Sequence, residues 1–106
     1  MAARECDEAM LRAEIADTST PLVIDVHAPW CKFCKLMDPH LSRIAEERAG
    51  SLRVAKIDND DHAEMGIELG VRTLPLVILM KDGKEVARRG SGNYEELTAW
   101  LAEHGL

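Results

Sequence analysis

At 106 residues, 46% hydrophobic and 30% charged, the chain has the composition of one soluble globular domain and no room for a second core. A formal net charge of −6, with basic residues scattered and Arg88-Arg89 the one adjacent pair, leaves no phosphate-binding stripe and argues against nucleic acid as a partner. No stretch reaches the length of a membrane span, and the charged start from Met1 to Glu8 lacks the apolar core of a secretory signal, so a cytoplasmic protein with no membrane partner is expected.

In chain order, residues 2–6 form at most a short edge strand. Asp7 then suits the N-cap of a helix running to about Ala16, with Met10, Leu11 and Ile15 as its apolar face. Thr18 to Pro21 breaks the chain before a strand at 22–27. A helix is expected from about Phe33 to Ala49, with Pro39 inside it at the cost of one backbone bond. Gly50-Ser51 ends it, and Leu52–Asp58 is a second apolar strand. Strand, helix and strand in this order make a parallel, right-handed βαβ unit. Asp60 or Asp61 caps a short helix over 62–69, closed by Gly70. Leu76–Met80 and Glu85–Arg89 flank Lys81-Asp82-Gly83-Lys84, an antiparallel hairpin signal. A last helix, about Tyr94 to Glu103, turns Leu97, Trp100 and Leu101 to the sheet. The expected architecture is α/β: a mixed sheet of four or five strands with helices on both faces.

Cys31 and Cys34 stand two residues apart where the apolar strand ends and a helix begins. Free N–H groups and the macrodipole at a helix N-terminus stabilise a thiolate, and Lys32 and Lys35 add positive charge. A thiolate with a second thiol in reach can make and break disulfides. With Cys6 the cysteine count is odd, which in a reducing compartment suits a catalytic pair plus a bystander. A zinc site needs two further ligands at a second paired spacing, and the sequence has none.

Asp25 to Lys35, Pro39, Val54 to Lys56, Val71 to Pro75 and Lys81 to Lys84 resemble the thioredoxin family in identity and spacing, over essentially the whole chain. The resemblance implies a thioredoxin fold and a thiol–disulfide oxidoreductase acting on protein disulfides, with no bound cofactor because the Cys31–Cys34 disulfide is the redox unit. An NADPH-dependent thioredoxin reductase is the implied electron donor. Cys31, expected to be the exposed sulfur, attacks, and Cys34 resolves the mixed disulfide. Asp25 lies inside an apolar strand, where burial raises a carboxyl's pKa and suits it to take the Cys34 proton. The family also places a lysine at Lys56, beside that aspartate, and a cis-proline at Pro75, facing the cysteines. The Thr73–Leu74 backbone is then free to pair with an extended substrate. Trp30 and Phe33 border the pair as apolar contacts for a partner.

The chain departs from the family in three places. Lys32-Phe33 replaces the usual Gly-Pro between the cysteines, which should make the pair more oxidising. His27 stands where an aromatic residue is usual and can tune the site with pH. At the groove edge, ungapped spacing puts Gly90-Ser91 in the place of a Val-Gly step, and a one-residue shift brings either Gly90 or Gly92 to the groove. His40, His62 and His104 read as ordinary surface or packing residues. A monomer is expected. Alternatives are a glutaredoxin-like or isomerase-like exchange enzyme and a non-catalytic binding module of the same fold.

Overall fold

The structure, a computed structural model, describes residues 3–106. Its elements in order are β1 (Arg4–Cys6), α1 (Glu8–Ala16), β2 (Leu22–His27), α2 (Lys32–Glu47), β3 (Arg53–Asp58), α3 (Ala63–Leu69), β4 (Leu76–Lys81), β5 (Lys84–Arg89) and α4 (Tyr94–Glu103). The five strands form one mixed sheet in the order β1-β3-β2-β4-β5. β3 runs parallel to both β1 and β2, and β4 is antiparallel to β2 and β5. The Arg4-Glu-Cys segment is poor in strand-forming residues, yet pairing with β3 from Arg4↔Ala55 to Cys6↔Ile57 holds it extended. Ala2, included in the expected edge strand, lies outside the described residues.

Alternation along the strands sends side chains to two cores. One side packs Val23, Val54, Val77 and Leu79 under Met37, Leu41 and Ile44 of α2 and Leu97, Trp100 and Leu101 of α4. The other packs Leu22, Ile24, Val26, Ile57 and Ile78 against Leu11 of α1 and Met65 of α3. Each such side chain contributes about 1.5–3 kcal/mol on removal from water. Burial on both faces accounts for the continuous apolar run of β2, and it leaves Asp25 on the α2 side of a dry sheet.

Several boundaries differ from expectation. α2 stops at Glu47 rather than Ala49, and β3 begins at Arg53 because Ser51 and Leu52 are held in a turn by the Arg48 carbonyl. Neither Asp60 nor Asp61 caps α3. Its N-cap is His62, without a side-chain bond, while the Asp58 carboxylate takes the amides of Asp60 and Asp61 and shapes the turn before it. The hairpin is tighter than expected, with Asp82 and Gly83 alone between the strands, both at positive φ (54° and 76°). At α1 the Asp7 carboxylate accepts from Met10 N at 2.8 Å. α4 starts with a reciprocal cap between Asn93 and Glu96. Among the described residues no helix is long and apolar enough to cross a membrane.

Candidate active site

β2 ends at His27, and Ala28, Pro29 and Trp30 carry the chain into α2, with Cys31 as its N-cap. Cys31 has extended backbone (φ −83°, ψ 104°), so its side chain turns back over the first helical turn. Its sulfur accepts from the Cys34 amide at 3.2 Å. An N–H of the first turn aimed at sulfur favours negative charge there. Cys34, one turn on, closes a disulfide with Cys31 across a Cα–Cα distance of 5.3 Å. The expectation that Cys31 is the exposed sulfur is corrected: both cysteines are 4% exposed. Ala28 and Leu74 pack against the pair.

Leu74 brings with it the cis Leu74–Pro75 peptide at the head of β4. Thr73 lies beside it, exposed. A Cβ on Gly90 would stand 4.0 Å from the Pro75 carbonyl, so Gly90 is the glycine next to the proline. Gly92 lies farther along, in a shallow groove of about 160 Å³ with Phe33, Leu36, His40 and Ser91. Trp30 and Phe33 are exposed beside the disulfide, and the Trp30 indole donates to Asp60 Oδ2 at 3.0 Å. Lys32 and Lys35 are exposed on the first turn of α2.

Behind Cys34 a cleft of about 260 Å³ runs in to Asp25, lined also by His27, Ala28, Pro29, Lys35, Asp38 and Lys56. Asp25 is 1% exposed, and its Oδ1 meets no donor among the described residues. Burial pushes its carboxyl up to about 6, opposed first by the charge of His27 and then by that of Lys56. Asp25 and Lys56 face each other in register across β2 and β3. Lys56 thus stands beside Asp25 as expected, while its ammonium is bonded to Asp38 of α2. His27 Nε2 lies 3.0 Å from both carboxylate oxygens of Glu5, reaching across β3 to β1.

Three site residues go beyond the sequence reading. Asp38 carried a signal, since it stands four residues after Cys34 and therefore on the same helical face. Glu5 and Asp60 carried none: each meets its partner only through the order of the strands. Cys6, buried on the opposite face of the sheet, takes no part. Among the described residues no group of three or more His, Cys, Asp or Glu is arranged to hold a metal ion.

The thioredoxin family model matches residues 3–103. The chain is 35% identical over 88 residues to the mitochondrial thioredoxin of Bos taurus, a match that covers 82% of this chain and 53% of that protein, about half its length. It is 33% identical over 86 residues to the thioredoxin of Pyropia yezoensis, covering 81% of this chain and 80% of the relative. To the thioredoxin of Haemophilus influenzae it is 30% identical over 99 residues, 92% of each chain. With this sheet order, the cysteine pair at the head of α2 and the cis-proline beside it, the chain belongs to the thioredoxin family and carries the cysteine pair of a thiol–disulfide oxidoreductase.

Proposed function

We propose that the protein reduces disulfides of other proteins by cycling Cys31 and Cys34 between dithiol and disulfide. The observation that carries the reading is the juxtaposition of three things: a cysteine pair closed over the first turn of α2, Leu74 of the cis Leu74–Pro75 peptide packed against it, and a buried carboxyl in the cleft behind Cys34. In the reduced protein the Cys31 thiolate attacks one sulfur of the substrate disulfide. That S–S bond breaks, and the other substrate sulfur leaves with the electron pair. Cys34 then gives its proton to Asp25 as its own sulfur attacks Cys31, and the second substrate sulfur leaves as a thiolate. The substrate has gained two electrons and the pair has lost two.

Substrate is held along the edge opened by Thr73, Leu74 and Pro75, with Gly90 beside the Pro75 carbonyl. Trp30 and Phe33 supply apolar contact. Lys32, Lys35 and His27 tune the charge around the pair. An NADPH-dependent thioredoxin reductase would restore the dithiol, a monomer suffices for every step, and a reducing compartment such as the cytoplasm suits an odd, buried Cys6.

The test is reduction of insulin disulfides by dithiothreitol with and without the protein. Acceleration by the parent chain, its loss in Cys31→Ser, and a trapped mixed disulfide on Cys31 in Cys34→Ser are expected. No acceleration by the parent, or undiminished acceleration in Cys31→Ser, would overturn the reading.

A further inference from the structure

We propose that Asp38 is a positioning residue for the proton step: it anchors the Lys56 ammonium toward the mouth of the cleft and so leaves the Asp25 carboxyl unpaired beside Cys34. The proposal rests on the reading that Asp25 takes the Cys34 proton, and it deepens that reading.

One ammonium stands between two carboxyls. Lys56 shares a rung of the sheet with Asp25, and its ammonium is bonded across to α2. Asp38 meets it there, four residues after Cys34 on the same helical face. The ion pair forms on the wetter side: the Asp38 side chain is 42% exposed, while Asp25 is sealed at the floor. Moving the ammonium inward would strip water from it, so the outer carboxylate holds it at lower desolvation cost. Asp25 is consequently left with an orphaned Oδ1. An unpaired carboxyl in low dielectric binds a proton more readily than one held by a cation, and that is what a base for a thiol requires.

The other charged groups around Asp25 do not alter this outcome. His27, on the same strand, is engaged by Glu5 from β1. Cys34 and Lys35 join Asp38 from α2 in lining the cleft. β4 presents Val77 at this rung and contributes no charge. Lys56 and His27 thus each meet a carboxylate other than Asp25, Lys35 is exposed and bonded to none among the described residues, and burial dominates the behaviour of Asp25.

The experiment is an NMR titration of the Asp25 side-chain carboxyl carbon in the oxidised full chain. Asp38→Asn should release Lys56 toward Asp25 and shift the Asp25 midpoint to lower pH, and Asp38→Glu should restore it. In a Lys56→Gln background the shift caused by Asp38→Asn should be largely lost. A midpoint unchanged or raised by Asp38→Asn overturns the proposal. So does a shift undiminished in the Lys56→Gln background, which would mean that Asp38 acts by its charge alone. The underlying reading is decided separately, by the rate at which Cys34 releases a substrate from the mixed disulfide. If Asp25→Asn leaves that rate unchanged, Asp25 is not the base, whatever Asp38 does to its titration.

Discussion

The indole N–H of Trp30 is bonded to the Asp60 carboxylate at 3.0 Å, and so a ring that is 68% exposed is tied to the turn after β3. The bond lies in solvent and adds little to stability. Its effect is to hold an apolar surface in one orientation beside the disulfide, sparing an incoming partner the ordering of that side chain. Such ordering costs about 0.5–1.5 kcal/mol. Asp60→Ala should therefore raise KM for a protein disulfide by about 2- to 10-fold. Reaction of the pair with dithiothreitol should be untouched. Equal losses with both would place the effect on the thiols and remove the orienting role.

Burial takes the Asp25 carboxyl from its usual 3.8 to about 6. Because the folded value lies above the unfolded one, the native state holds the extra proton between them, and stability falls as pH rises from about 4 through 6. Above that window the full penalty of an ionised buried carboxyl is present, up to about 3 kcal/mol. Asp25→Asn keeps the shape and removes the charge. The oxidised variant should be more stable than the parent by about 1–3 kcal/mol at pH 7, with the gain vanishing near pH 4. Urea unfolding at the two pH values measures it, and equal stability at pH 7 would refute the account.

Most of the fold could be read from the chain because its signals are local. The apolar run at 22–27, the Asp82-Gly83 turn, the Asp7 cap and the cysteine spacing each act within a few residues. The site was legible where one element supplies the chemistry, as with Cys31 and Cys34. It was obscure where two elements meet. Nothing in the neighbourhood of Glu5 points to His27, since their contact depends on β1 lying on the far side of β3. Lys56 aligns with Asp25 in the sheet, yet its partner is chosen by α2 packing above, a comparison of desolvation costs that strand patterns do not encode.

Arg53 shows the same limit away from the site. By sequence it is the second residue of the strand expected at Leu52–Asp58, but its guanidinium gathers the end of α1 and the loop after it. It donates to the carbonyls of Glu14 (2.8 Å), Asp17 (2.6 Å) and Thr20 (2.7 Å), to the Thr20 hydroxyl (2.8 Å) and to the Glu14 carboxylate (2.7 Å). A cation on the last carbonyls of a helix also complements its dipole. Arg53→Met keeps the aliphatic stem and deletes every donor. With a charged, half-buried hub removed and several acceptors left to water, the loss should be about 2–4 kcal/mol. Denaturant unfolding checks it, and a change below about 1 kcal/mol would show that water replaces these bonds without penalty.

Lys32-Phe33 bears on the direction in which the pair transfers electrons. Neither residue is proline, so the first turn of α2 is closed without the ring that usually stiffens it. Lys32 brings an exposed positive charge to the end of the helix where the Cys34 N–H already faces the Cys31 sulfur. Both features favour the thiolate, hence the reduced form, and a stabilised reduced form makes a stronger oxidant. The reduction potential should therefore lie tens of millivolts above the value of about −270 mV for thioredoxin. Equilibration against glutathione, followed by alkylation of free thiols, measures it. Joint replacement by Lys32→Gly and Phe33→Pro should lower the potential toward that value. A parent potential at or below about −270 mV would show that the intervening residues do not control the balance here, and would leave the chain a strong reductant in spite of them.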